Sequence, residues 1–135
     1  MSDSEDKLYL ASATELISLI KDRKITIKQV IESTINRIEK INPKTDAWIH
    51  LNHQQSLRRA VDLDTKMKDG IDVGPLYGIP IGIKDIFNTQ DFPTEMGSPL
   101  WKNFTPGNDA RVVYYLRTAN ATIWRSEERR VGKEC

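Results

Sequence analysis

The sequence predicts an α/β fold, and three of its features point to that class. Two N-terminal stretches carry helix-start signals followed by apolar residues at helical spacing. A β-branched run from Ile79 to Phe87 follows a turn rich in glycine and proline. A further helical stretch then leads into a strand start at Ala121-Thr122-Ile123. Helices and strands that alternate in this way stack as layers, because each must bury one apolar face against its neighbour.

Taken in order, Ser12-Ala13-Thr14-Glu15 is a capping box, a hydroxyl and a carboxylate satisfying each other's backbone N–H groups. Leu16, Ile17, Leu19 and Ile20 follow at helical spacing, and this helix is expected to end near Asp22 or Arg23. Thr26-Ile27-Lys28-Gln29 is a second box. Behind it Ile27, Val30, Ile31, Ile35, Ile38 and Ile41 form one apolar stripe, with Lys28, Glu32, Asn36, Arg37 and Lys40 opposite. Asn42-Pro43 is expected to stop the helix, since proline pushes its predecessor out of the α region.

Ala47 to Leu51 is a short strand candidate. Asn52 is placed to cap a third helix running to about Asp69, with Leu57, Ala60, Val61 and Met67 inward and Gly70 closing it in the left-handed conformation. Gly74-Pro75-Leu76-Tyr77-Gly78 is turn chemistry before the strand Ile79–Phe87. A loop rich in proline and glycine spans Asn88 to Asn108. Asp109 is the expected cap of a helix carrying Val112, Val113, Leu116 and Ala119.

Bulk composition narrows the class without naming a chemistry. The 135 residues are 39% hydrophobic and 29% charged, with one cysteine, which excludes a disordered chain and a disulfide scaffold. No apolar run approaches the ~20 residues of a membrane span. The acidic N-terminus lacks the apolar core of a signal peptide, so a soluble, cytoplasmic protein is expected. Twenty basic against nineteen acidic side chains make no field for gathering nucleic acid or an acidic membrane.

The segment from Arg125 to Cys135 departs from this pattern. It holds seven charged side chains and one large apolar residue, and it interrupts a strand that has just begun. The string reads as the conceptual translation of a common sequencing-adapter oligonucleotide, to be set apart from fold reasoning. On that expectation residues 1–124 are the native part and 125–135 a foreign tail. The tail's four basic and three acidic residues leave sixteen of each in the native part, which then has no cysteine.

The chemistry-bearing segment is Gly78 to Asp85. At strand period, Ile79, Ile81 and Ile83 share one face and Pro80, Gly82 and Lys84 the other. A lysine ending a buried strand is costly to desolvate while charged, which is expected to push its pKa down. A neutral lysine amine can serve as a general base or nucleophile. The alternative is a strand-end lysine that snorkels to water, with Asp85 as a partner.

The residues Gly78-Ile79-Pro80-Ile81-Gly82-Ile83-Lys84-Asp85 resemble the strand motif of the amidase signature family. Gly74 to Gly78 resembles the family's preceding turn, and Pro93-Thr94-Glu95-Met96-Gly97-Ser98 its loop of threonine, glycine and serine. Thr105 to Ala110, with Val112-Val113, is similar to the segment entering the next helix. Ile35 to Pro43 is similar to the N-terminal helix that ends in asparagine-proline. These motifs occur in the family's order across roughly residues 10 to 123.

The resemblance implies the N-terminal part of an α/β fold with a mixed sheet covered by helices. It implies an amide-bond hydrolase that uses a nucleophilic serine, a bridging serine on a cis peptide and a lysine base. Lys84 is the one triad member that maps onto this chain; the family places both serines downstream. Gly97 and Ser98 are weaker candidates for lining the substrate cleft, and the family gives Ser98 no nucleophilic role. No cofactor and no metal are implied. The partner is a small carboxamide, with no direct contact to nucleic acid or membrane, and nothing in the residues assigns an oligomeric state. The chain alone is expected to be inactive and, with an incomplete sheet, to aggregate.

Other residues invite functional readings that spacing does not support. His50 and His53 are joined by no cysteine or carboxylate at ligand spacing. Trp48, Trp101 and Trp124 lack an accompanying basic stripe and read as packing residues. Two rivals to hydrolysis stand beside it. One lies within the same family: the transamidating component that acts on mischarged glutamyl-tRNA(Gln) or aspartyl-tRNA(Asn). The other is a non-enzymatic helical interaction domain with Lys84 structural.

Overall fold

Both N-terminal helices begin where their hydroxyl caps stand. A computed structural model describes residues 5–126, opening with a 3-10 turn over Glu5–Leu10. Ser12 Oγ accepts the Glu15 N–H at 3.2 Å while the Glu15 carboxylate accepts the Ser12 N–H at 2.8 Å, opening α1 (Ala13–Lys21). Thr26 and Gln29 do the same for α2 (Ile27–Thr45). A third group reaches α2 from a distance: the Asp64 carboxylate accepts the Ile27 and Lys28 N–H groups at 2.9 and 3.0 Å. A negative charge at the positive end of the helix dipole is favourable, and here it ties two helices together.

The structure corrects the expected stop at Asn42-Pro43. α2 continues to Thr45 with Pro43 in its last turn. There the missing N–H forfeits one hydrogen bond in a turn already fraying. Termination falls instead to Asp46, left-handed at φ 49°, whose N–H donates to the Asn42 carbonyl at 2.7 Å. The Asn42 side chain pairs with both backbone groups of Trp48, at 2.9 and 3.0 Å, as a neighbouring strand's peptide would.

That clamp sets β1 (Trp48–His50). Asn52 then caps α3 (His53–Lys68), its Oδ1 accepting the Gln55 N–H at 3.0 Å, and Gly70 closes it at φ 74° as expected. The inward stripe differs from expectation: Ser56, Ala60 and Leu63 are buried and Val61 is exposed. The stripe turns toward Ser56 because its hydroxyl has a buried partner, the indole N–H of Trp124 at 2.9 Å.

β2 (Pro80–Lys84) is shorter than the run Ile79–Phe87, because the Lys84 carbonyl accepts the Phe87 N–H at 3.1 Å and the chain turns there. α4 (Arg111–Thr118) begins after Ala110, with no side-chain cap. Asp109 is therefore not the cap; its carboxylate is turned to Arg117 and to the Gln90 N–H instead. β3 (Thr122–Ser126) follows.

The sheet has the order β1-β3-β2, with β3 antiparallel to β1 and parallel to β2. It is mixed, as expected for the fold class. Successive residues of β3 enter different cores. Trp124 joins Ile20, Ile27, Ile31, Leu63 and Ile79 among α1–α3, while Ile123 joins Ile83, Val113 and Ala121 beneath α4. Helices thus cover the sheet through two separate apolar clusters. Trp48 lies edge-on to Trp124 with ring centroids 6.2 Å apart, so both pack as expected, whereas Trp101 is substantially exposed and contacts Phe104.

The loop between β2 and α4 is pinned from within. Thr89 and Thr94 are fully buried, their hydroxyls donating to the carbonyls of Phe92 and Phe87 at 3.0 and 3.3 Å. A short 3-10 turn, Pro99–Trp101, is its regular element. Residues 127–135, most of the proposed tail, lie outside the described residues; Arg125 and Ser126 belong to β3.

Candidate active site at the end of strand β2

Strand alternation fixes what each residue of β2 faces. Gly82 lies against Trp48, so closely that a Cβ there would stand 2.7 Å from the indole. Lys84, one step further on the same face, is exposed. Of the two alternatives, the exposure is that of a strand-end lysine at water and not of a buried one: Gly82 and Lys84, on the same face, are both exposed.

Asp85 continues the other phase, that of Ile81 and Ile83, and is 2% exposed; Ile79, expected on the same face, packs instead in the core among α1–α3. Its Oδ1 accepts the Glu95 N–H at 2.9 Å, and its backbone carbonyl accepts the Met96 N–H at 3.0 Å. Two hydrogen bonds accepted by one residue therefore lay the loop Pro93–Ser98 against the strand end that carries Lys84.

The loop then turns sharply through Met96 and Gly97, both left-handed at φ 55° and 66°. The Ser98 N–H donates to the Glu95 carbonyl at 3.0 Å, and Ser98 Oγ accepts the Leu100 N–H at 3.3 Å. Gly97 is exposed and Ser98 half-buried. The two motifs singled out in the sequence, Gly78–Asp85 and Pro93–Ser98, thus meet in space.

One further residue joins from β1 and was not anticipated there. His50 Nε2 lies 3.5 Å from the Glu95 carboxylate, and the His50 ring stacks on Phe92 at 6.1 Å. His53 turns elsewhere, with Nδ1 3.4 Å from Glu39. Among the described residues no group of three His, Cys, Asp or Glu side chains is placed to hold a metal ion. Asp85 had a signal in the sequence that passed unused: it is a carboxylate in phase with three isoleucines.

A second polar cluster braces α4 against the loop. Arg117 donates to Asp109 at 2.8 Å and to both oxygens of Asp91 at 3.0 and 3.2 Å. Burial by itself would raise the Asp109 pKa, but the hydrogen bonds from Arg117 and the Gln90 N–H outweigh it and hold the carboxyl below its usual value. Arg117 is correspondingly held above its usual value: burial opposes this, and the two carboxylates prevail. Arg59, bonded to Thr122 Oγ1 and Asn120 Oδ1, is lowered by burial and then by the charge of Arg117.

Among the described residues no helix is long and apolar enough to cross a membrane. Similarity to known proteins places the chain in a family. AmiD of Mycobacterium bovis is 37% identical over 119 residues, which are 88% of this chain and 25% of that protein. A glutamyl-tRNA(Gln) amidotransferase component of Carboxydothermus hydrogenoformans is 36% identical over 117 residues, 87% of this chain and 24% of that one. A fatty acid amide hydrolase structure superposes with a TM-score of 0.84 at 26% identity, covering 93% of this chain and 22% of that chain. The chain spans about a quarter of the length of the relatives it matches. Residues 29–125 match the family model described as Amidase, and the chain accordingly belongs to the Amidase family.

Proposed function

We propose that the chain is the N-terminal portion of an amide-bond hydrolase acting on linear carboxamides, with Lys84 as its catalytic base. The observation that carries this is the meeting of the Lys84 strand end with the Pro93–Ser98 loop through Asp85. An exposed lysine at a strand end, beside a loop that Asp85 holds in place, can reach a substrate-bound group.

In this reading the Lys84 amine takes a proton from a bridging serine, which takes one from the nucleophilic serine. The nucleophile's oxygen bonds to the carboxamide carbon, the C–N bond breaks, and the amine leaves with a proton. Water then cleaves the serine ester to release the acid, with backbone N–H groups holding the oxyanion. The resemblance places both serines outside this chain and gives Ser98 no nucleophilic role. The protein is read as cytoplasmic, with no cofactor.

The test is amidase turnover by the full reading frame that carries residues 1–124. Lys84→Ala is expected to lower kcat by about 10²–10⁴-fold. Unchanged turnover in that variant would remove Lys84 from the chemistry. The 135-residue chain itself is expected to show no turnover.

Residues 125–135 are proposed to be adapter-derived. Arg125 and Ser126 still pair with Ile83 and Lys84, because ladder hydrogen bonds are made by peptide groups whatever the side chains. The underlying nucleotide sequence tests this directly.

A second reading is favoured by the relatives named as glutamyl-tRNA(Gln) amidotransferase components, which reach 36% identity. In that case the released ammonia would pass to an acyl group on a mischarged tRNA, with ATP and partner proteins required. Turnover of simple carboxamides without ATP or partners separates the two.

A further inference from the structure

We propose that Asp85 is the positioning residue of this site: it fixes the loop Thr94–Gly97 against the end of β2 that carries Lys84. The inference deepens the reading of Lys84 as base and rests on it. Among the described residues Asp85 is a carboxylate at 2% exposure, and it directly follows β2, in phase with Ile81 and Ile83. A carboxylate is kept in such a place only when hydrogen bonds replace its lost water.

The bond it makes to the Glu95 N–H, at 2.9 Å, is charge-assisted and joins two segments ten residues apart. The adjoining bond from the Met96 N–H to the Asp85 carbonyl, at 3.0 Å, fixes the register of the same segment. Because Asp85 follows Lys84 directly, any slip of the loop along the strand changes what stands beside the lysine. Hydrogen-bond acceptance from the Glu95 N–H is what the residue supplies to the loop. Asn keeps that acceptor, and Ala does not.

The experiment uses the full-length protein and compares Asp85→Ala, Asp85→Asn and Lys84→Ala in kcat, KM and backbone amide exchange. For Asp85→Ala, kcat is expected to fall at least hundredfold with KM within threefold, and the Glu95 amide to exchange faster. Asp85→Asn is expected to recover kcat to within tenfold of the parent, with the Glu95 amide again protected. The proposal is overturned if Asp85→Ala keeps kcat within threefold, or if Asp85→Asn is as inactive as Asp85→Ala. Should Asp85→Ala fail to fold, Asp85→Asn decides alone. A protected Glu95 amide with kcat within tenfold supports the proposal, and the same protection with a loss above hundredfold overturns it. Full activity in Lys84→Ala would instead sink the assignment of the base, a separate outcome from either Asp85 variant.

Discussion

Ser56 and Trp124, 68 residues apart in sequence, are joined by a buried hydrogen bond of 2.9 Å from the indole N–H to the serine hydroxyl. It fastens α3 to the central strand of the sheet. Ser56→Ala leaves the indole N–H buried without its acceptor, a loss of about 1–3 kcal/mol. Urea denaturation should show a lower midpoint with an unchanged slope. A midpoint equal to the parent's would mean the hydroxyl contributes nothing there.

The Asp64 carboxylate at the start of α2 offers a second handle. Asp64→Ala frees the Ile27 and Lys28 N–H groups and removes a favourable charge from the helix end. The expected cost is about 1–2 kcal/mol. Asp64→Asn, which keeps one acceptor, should lie between the two. Raised salt should narrow the gap between Asp and Asn, since only the charge is screened.

Acid should loosen the brace between Arg117 and Asp109. The native Asp109 carboxyl is held below its usual value, so the unfolded chain binds its proton more readily than the folded one does. The stability this contributes is complete above the ordinary carboxylate pKa, about 4, and is lost as pH falls through the lower native value. Thermal midpoints recorded from pH 6 down to pH 2 should therefore fall more steeply for the parent than for Asp109→Asn. Parallel curves would argue that the pair adds no stability.

Two glycines separate crowding from backbone strain. In Gly82→Ala the new methyl would stand 2.7 and 2.9 Å from Trp48 ring atoms, so the indole must swing away from Trp124. A cost of about 1–3 kcal/mol follows, with a changed near-ultraviolet tryptophan signal. In Gly107→Ala the backbone is left-handed at φ +75° but the space is open. Strain alone then costs about 1–2 kcal/mol, and the tryptophan signal should stay as it is.

Local signals carried most of the architecture. The two capping boxes, the Asn52 cap and the closing Gly70 all act within four residues, and each stands where its residues place it. What escaped the sequence depends on distant partners. Ser56 reads as polar until Trp124 supplies its bond, and Asp109 reads as a cap until Arg117 draws it away. Pro43 reads as a stop, yet the last turn of a helix tolerates it.

The candidate site divides in the same manner. Its two motifs were visible as strings, and the resemblance placed Lys84 in one and Gly97-Ser98 in the other. Their contact through Asp85 was not visible, because hydrogen bonds between a side chain and a distant backbone N–H leave no periodicity behind. His50 was invisible for a related reason: its partner Glu95 lies on a loop whose path only the packed structure fixes.

The strand order has a consequence for how the chain assembles during synthesis. Among the described residues the central strand, β3, is the one made last, and both of its neighbours must wait for it. The helices α1 to α3 can pack on leaving the ribosome, while β1 and β2 remain unpaired until β3 emerges. Vectorial synthesis therefore separates a helical stage from a sheet stage, and the strand end bearing Lys84 is assembled in the second.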